Sequence, residues 1–449
     1  MRWALRWLTT LLVLASAMVY SGAAPVAAAP GPTDAPEWWF DQWHIQDLWN
    51  AGARGQNIKI AEIDTGVNAA LPELAANVIP GKDFGSAGGD GRVDRSVDAF
   101  GHGTAMASIM VAHPGLYGIT GIAPNAVVLP IAVPISGTED AAASDSVPAA
   151  IRYAADSGAN VISMSLGGVR QPGVDSLPCP ALEQAAIDYA IGKGAIVVAA
   201  SGNAGQSGSP VEDPGVCLGV VSVGAVDRDG VVAPFSSRHS YLTVTAPGVN
   251  IASLGRSPGT AYSGNGTSQA TAITSAVLAL TWSMHRDLSG RQVVARLLWT
   301  LDRRQPVRDP AYGFGRVDAQ TAVMATVPAT APNPVYAALD PFLARDSAAS
   351  AAQTNAPPAA MPVRVTPPGS FEIGSLPGPV TSRVIAGAAA AGCGLLALIA
   401  LGLGHRRNRR RRHAQHRLAG HRSPYPSDEW TWYDVSASPH WATPPDGPF

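Results

Sequence analysis

Four polar residues stand out by their neighbours: Asp64, His102, Asn203 and Ser268. Asp64 closes Ile58-Lys59-Ile60-Ala61-Glu62-Ile63, which reads as a strand. His102 lies between Gly101 and Gly103 and opens a helix whose face is Ala105, Ser108, Ile109 and Ala112. Asn203 follows an apolar strand in Ser201-Gly202-Asn203. Ser268 ends Asn265-Gly266-Thr267-Ser268, just ahead of Ile273, Ala276, Val277 and Leu280, whose spacing marks a helix with a buried face. Singly, each residue has a plain structural use: serine as a helix N-cap, aspartate in an Asx-turn. Together they are chemically complete. A serine hydroxyl needs a base to become a nucleophile. Histidine is the fitting base near neutral pH, and a carboxylate fixes its tautomer. A side-chain amide, joined by a backbone N–H at the serine, can hold an oxyanion. A helix N-terminus favours the charge that develops there and disfavours a resident imidazolium, so a neutral His102 fits a chemical role.

These groups need a frame that gathers them. Apolar strands at 58–63, 126–133, 160–165, 195–200 and 220–225 alternate with helices at 146–157, 179–193 and 290–301. That alternation predicts an α/β three-layer fold: a mostly parallel central sheet with helices on both faces. Functional groups collect beyond the carboxyl ends of its strands. Residues 85–98 are Gly- and Asp-rich loop. Asp90, Asp94 and Asp98 there lack the fixed spacing of a calcium loop, so no cofactor is expected, with calcium as the alternative. Trp38, Trp39, Phe40, Trp43 and Trp49 predict an N-terminal aromatic arm that packs on the main domain.

The ends carry different signals. Arg2 and Arg6, an apolar run over 8–19 and small residues over 21–29 read as a signal peptide cleaved after Ala28. Residues 384–404 bear no charge and are long enough to span a bilayer. The arginines of 406–412 follow at once, placing the C-terminus in the cytoplasm and the domain outside. The expected organisation is therefore a signal peptide (1–29), the arm (30–49), an α/β domain (50–325), a Pro/Ala-rich stalk (326–383), a transmembrane helix (384–404) and a basic, aromatic cytoplasmic tail (405–449). The tail's Trp430, Trp432, Tyr433 and Trp441 suggest a docking peptide. A net charge of −2 argues for no nucleic-acid partner. Of three cysteines, Cys393 lies in the span. Cys179 and Cys217 lie in the exported part, where a disulfide is expected and free thiols or a metal pair are the alternatives.

Ile63-Asp64-Thr65-Gly66, Gly101-His102-Gly103-Thr104, Ser201-Gly202-Asn203 and Gly266-Thr267-Ser268 resemble the four signature segments of the subtilisin-like serine proteases, in that family's Asp, His, Ser order. Gly121-Ile122-Ala123-Pro124 and Met164-Ser165-Leu166-Gly167-Gly168 add to the resemblance, which covers roughly residues 43–325. The whole arrangement, from signal peptide to membrane helix, looks like the mycosins, the subtilases attached to type VII secretion systems of actinobacteria. The resemblance implies a serine endopeptidase with Asp64, His102 and Ser268 as its triad and Asn203 as oxyanion donor. It implies that Ser165, Leu166 and Gly167, with Ala200, Ser201 and Gly202, line the substrate cleft, the first segment pairing with peptide backbone. Ala204 and its small neighbours suggest an uncharged first pocket. The pair Cys179–Cys217 matches a bridge typical of mycosins. A protein or peptide substrate, a membrane and a type VII secretion core complex are the implied partners. The alternative is a structural subunit of that complex, with proteolysis secondary. Gln269 and Ala272 depart from the family, which places an aromatic residue or Met and a proline there.

Overall fold

The computed structural model describes residues 37–135, 138, 146–170, 179–354 and 432–434. The signal segment and the apolar stretch 384–404 lie outside these residues. Among the described residues, no helix is long and apolar enough to cross a membrane. In chain order the elements are α1 (Trp38–Gln42), α2 (Ile45–Asn50), β1 (Lys59–Asp64), β2 (Lys82–Asp83), α3 (His102–Val111), β3 (Val127–Ala132), α4 (Ser146–Asp156), β4 (Val161–Met164), β5 (Gly168–Val169), α5 (Ala181–Gly192), β6 (Ile196–Ala200), β7 (Glu212–Asp213), β8 (Val221–Val226), β9 (Val244–Pro247), β10 (Ile251–Leu254), β11 (Ala261–Gly264), α6 (Thr267–Met284), α7 (Gly290–Trp299), α8 (Ala319–Met324), α9 (Pro334–Thr354) and β12 (Trp432–Asp434).

Strands β1, β3, β4, β6 and β8 are rich in Val, Ile and Ala with nearly every residue buried, as strands covered on both faces must be. They form a seven-stranded sheet in the order β2-β3-β1-β4-β6-β8-β9. All of its pairings are parallel. The chain passes from β1 to β3 on one side, then returns to β4 on the other. That reversal opens a crevice at the carboxyl ends of β1 and β4, where α/β sheets hold ligands. Helix α6 is buried at every residue except Met284, so it is a central helix with no solvent face. Its Ala, Ser and Thr residues let it lie close to the sheet, and Ser275 Oγ donates to Ser163 Oγ of β4 at 2.9 Å.

The aromatic arm folds as α1 and α2 against the domain. Trp39, Phe40, Trp43 and Trp49 are all buried. The Trp49 indole N–H donates to Ile122 O at 2.9 Å, and the Phe40 and Trp49 rings meet edge to face at 5.2 Å. Large aromatic area at low entropy cost suits this task.

Two parts of the chain differ from the sequence reading. Where composition predicts the start of an extended stalk, the chain forms helix α9, and its Val335, Tyr336 and Leu339 are buried in the core. Phe342 and Leu343 pack against that core too. These five positions form a helical stripe that the Pro- and Ala-rich composition hides. Asp340 pairs with Arg291 of α7 at 2.7 Å, and Asn333 Nδ2 donates to Arg291 O at 2.8 Å. The folded domain thus runs past Ala325. The second difference is β12, which lies in the expected cytoplasmic tail. It pairs antiparallel with β11, Trp432 opposite Gly264. That pairing and a membrane span between the two segments exclude each other within one molecule.

Candidate active site

The sheet brings the predicted residues together by register. β1 pairs with β4, Glu62 opposite Ser163, so Asp64 and Ser165 fall on neighbouring strand ends. Asn203 comes shortly after β6, the next strand along. Helices α3 and α6 pack together above this edge, and each carries one of the predicted groups in its first turn.

On the β1 side, Asp64 is fully buried, and its Oδ1 and Oδ2 lie 2.7 and 2.9 Å from His102 Nδ1. Thr65 N also donates to Oδ1 at 2.7 Å. This contact sets the tautomer: Nδ1 carries the proton and Nε2 is left as the basic nitrogen. Burial works against the charged imidazole. The Asp64 carboxylate, helped by Asp94 and Asp98, outweighs it and holds His102 above its ordinary value. The flanking glycines are needed for close approach. Gly101 caps α3 at φ 75°, in the left-handed region, and a Cβ there would lie 2.8 Å from Asp94 Oδ2. A Cβ on Gly103 would run into the Gly66 carbonyl.

A network the sequence reading missed holds this side in place. Asp94 Oδ1 accepts from Thr65 Oγ1 at 2.9 Å and Ser96 N at 3.0 Å. Its Oδ2 accepts from Thr104 N at 2.9 Å and Thr104 Oγ1 at 2.6 Å. Ser96 Oγ in turn accepts from His102 N at 3.0 Å. The other two aspartates weighed for calcium also have protein partners. Asp90 pairs with Arg92 at 2.7 Å, and Asp98 Oδ1 accepts from Phe100 N and Gly101 N, each at 3.0 Å.

On the α6 side, Ser268 is the second residue of its helix rather than the cap, which is Gly266. Ser268 is 1% exposed, and its hydroxyl donates to Ser165 O at 2.8 Å. Ser165 Oγ returns a bond to Ser268 O at 3.0 Å. The amide oxygen of Asn203 accepts from Thr267 N at 2.9 Å and Thr267 Oγ1 at 3.0 Å. Two donors on the oxygen fix the orientation of the amide, which leaves Nδ2 as the group that can donate. Thr267 is therefore an orienting residue, inside a recognised motif but not singled out by sequence. Of the predicted cleft residues, Ser165, Ala200, Ser201 and Gly202 are buried, Leu166 is half-buried and Gly167 is exposed.

A carboxylate–imidazole pair, a serine at a helix start and an oriented amide can perform acyl transfer. The profile of the subtilase family (peptidase S8) matches residues 55–315. The chain is a subtilase. The "Major intracellular serine protease" of Bacillus subtilis (strain 168) is 33% identical over 261 residues, covering 56% of this chain and 78% of that relative. "Subtilisin DY" of Bacillus licheniformis is 36% identical over 249 residues, covering 55% and 84%. Among solved structures, MycP1 from the ESX-1 type VII secretion system superposes with a TM-score of 0.58 at 26% identity, covering 70% of this chain and 90% of that one. The MycP3 protease from the type VII (ESX-3) secretion system gives 0.54 at 29% identity, covering 67% and 90%. This subtilase is thus a serine protease whose structural neighbours are mycosins.

Two departures have structural consequences. Gln269, beside Ser268, is fully buried, and neither end of its amide has a hydrogen-bond partner among the described residues. Ala272 is fully buried in α6 and lets the helix continue where a proline would remove an N–H. Cys179 and Cys217 form a disulfide, S–S 1.99 Å, across 38 residues. Glu183 lies beside both sulfurs, but bonded sulfurs are not thiolate ligands, which removes the metal-pair alternative. The bridge ties α5 to the chain after β7 and stabilises by about 4 kcal/mol in the loop-entropy account.

Proposed function

We propose that this subtilase is a membrane-anchored, extracytoplasmic serine endopeptidase that cleaves exported proteins at a type VII secretion system. His102 takes the Ser268 proton through Nε2, Asp64 holds and stabilises the imidazolium, and Ser268 Oγ attacks the scissile carbonyl. Asn203 Nδ2 and the Ser268 backbone N–H bind the oxyanion. Residues 165–167 and 200–202 flank the peptide. A substrate N–H that pairs with Ser165 O competes for the acceptor that now holds the Ser268 hydroxyl, so binding releases the nucleophile toward His102. The observation that carries this reading is His102 Nδ1 held by both Asp64 oxygens, on the strand beside the one that Ser268 touches.

A fluorophosphonate probe tests the chemistry. The wild-type chain labels, Ser268→Ala does not, and His102→Ala labels far more slowly. A wild-type chain that stays unlabelled where a subtilisin reacts overturns the reading. The mycosin neighbours and the apolar stretch 384–404 support the anchored topology, and the anchored form gives up the β11–β12 pairing. A reporter fused after Phe449 is active in the cytoplasm on this reading, and external labelling of the tail defeats it. Secretion by cells carrying Ser268→Ala, set against a full deletion, separates peptidase from scaffold. Equal defects rule out scaffolding as the sole role, and normal secretion by the point variant makes scaffolding the main one.

A further inference from the structure

On the reading above, residues 165–167 and 200–202 wall the pocket for the substrate residue on the acyl side of the scissile bond (P1). Each wall ends in a glycine, and the bare faces of both glycines meet one side chain, Glu212. A Cβ on Gly167 would lie 2.7 Å from Glu212 Oε2. A Cβ on Gly202 would run into Oε1 and the carboxyl carbon and lie 2.7 Å from Oε2. The carboxylate therefore bridges the gap between the walls. It is held there by β7, which pairs antiparallel with β5, Glu212 opposite Val169. Glu212 N donates to the Tyr241 hydroxyl at 3.1 Å behind it.

Glu212 is 7% exposed, and among the described residues no hydrogen bond or ion pair reaches its carboxylate. Arg170, which follows β5, pairs with Asp213 at 3.5 Å. A buried carboxylate with no donor is expensive, and a cation brought by a ligand removes that cost. The geometry points to Glu212 as the residue that sets P1 specificity: its carboxylate forms the floor of the pocket and receives a lysine or arginine side chain. The uncharged pocket expected from Ala204 and its neighbours is thus replaced by an acidic one. This inference rests on the proposed placing of the cleft and adds its substrate class.

The charge on that floor depends on pH. Burial, then the Asp213 charge, push Glu212 up to about 7. The other titratable groups around it are Arg170 beside Asp213, the Tyr241 hydroxyl behind, and His239 stacked on Tyr241 at 4.3 Å. Burial raises Tyr241 and lowers His239, so both stay neutral near and above pH 7. The empty pocket gains its charge as pH rises through that of Glu212, and preference for basic P1 residues rises with it.

The test uses the full-length chain in detergent and fluorogenic peptides that differ only at P1. At pH 8, kcat/KM for Arg or Lys exceeds that for Leu or Ala at least tenfold, and the margin narrows at pH 6. Glu212→Gln lowers the Arg-to-Leu ratio on the order of 100-fold. Equal rates in the wild type, or a ratio that Glu212→Gln leaves alone, overturns the inference. So does a preference for Ala or Gly that only Glu212→Gly relaxes, since the side chain then merely fills the pocket. Benzamidine binding to the Ser268→Ala chain, followed by calorimetry, does not depend on turnover. Benzamidine binds Ser268→Ala at pH 8 and fails to bind Ser268→Ala with Glu212→Gln. Absence of binding to the single variant overturns the acidic pocket. Binding in a chain whose wild type hydrolyses nothing keeps the pocket and rejects the peptidase reading.

Discussion

Asp94 and Glu212 are equally hidden, each 7% exposed, and each reaches the site from outside the main strands. Asp94 has four protein donors, two to each oxygen. Glu212 has none among the described residues, and its carboxylate lies against two glycines. A buried acid whose lone pairs are filled is part of the scaffold, because its removal strands the donors around it. A buried acid left unfilled at a cleft has its stabilising partner still to come. The half of the site that carries His102 is thus closed and preorganised. The half that carries Ser268 and the pocket walls keeps polar groups open toward substrate.

The largest effect that could break this contrast comes from Asp94. Asp94→Ala leaves Thr65, Ser96 and Thr104 without their acceptor and loosens the loop that supports His102. Urea denaturation should show a loss of about 3 kcal/mol or more, with activity abolished. Glu212→Ala should cost far less stability; equal costs for the two variants end the comparison. Next in size is the open half's own donor. Asn203→Leu should lower kcat by roughly 10²–10³-fold with little change in KM. A variant that raises KM alone would make Asn203 a binding residue instead.

How much of this was readable in sequence follows from the same contrast. Asp64, Asn203 and Ser268 sit where a buried apolar strand stops or a period-3.6 pattern begins, so local pattern places them. Asp94 was visible only as one of several loop aspartates. Its partners Thr65 and Thr104 lie 29 and 10 positions away, inside motifs marked by Asp64 and His102. Glu212 left no trace at all. Its place depends on the two-residue ribbon of β5 and β7, which is too short to show a period. Helix α9 has a clear stripe at Val335, Tyr336, Leu339, Phe342 and Leu343, but the proline within it, Pro341, and the Pro- and Ala-rich composition around it point to an extended chain. For Gln269, the expectation of a one-faced helix concealed its burial, since α6 has no solvent face.

Two buried groups fall outside the contrast and sharpen it. Among the described residues, neither end of the Gln269 amide has a hydrogen-bond partner, and Glu62, two residues before Asp64 on the same strand face, has only a backbone contact from Ala107 to offset its burial. Gln269→Leu should stabilise the fold by about 1–3 kcal/mol, read as a higher Tm. A lower Tm would show that the amide is satisfied in solution. Glu62 is pushed well above its ordinary value of 4.5 by burial first, then by the charges of Asp64 and Asp94. The native state keeps a proton there that the unfolded chain releases above that value, so this group costs stability increasingly as pH rises. Glu62→Leu should therefore raise Tm more at pH 8 than at pH 4, and an equal gain at both would show that Glu62 ionises in the native state.

The smallest expected effect concerns the closed half's influence on the base. His102 must be neutral to accept the Ser268 proton, and the surrounding carboxylates hold it above its ordinary 6.5 against the opposing effect of burial. The acid limb of kcat/KM should accordingly lie above that value. Asp98 is the most exposed of the three acids, and it is separable from the others because its Oδ1 caps Phe100 N and Gly101 N. An asparagine keeps that acceptor and drops the charge. Asp98→Asn should move the acid limb to lower pH while kcat on the plateau is unchanged. The difference should shrink as salt is added, since an exposed charge is screened within roughly 10 Å at 0.1 M. Asp64 is fully buried and in contact with the ring, so the shift it causes should survive salt. If added salt erases the whole elevation of the limb, the charge network around His102 is open to solvent, and the site no longer divides into a closed half and an open one.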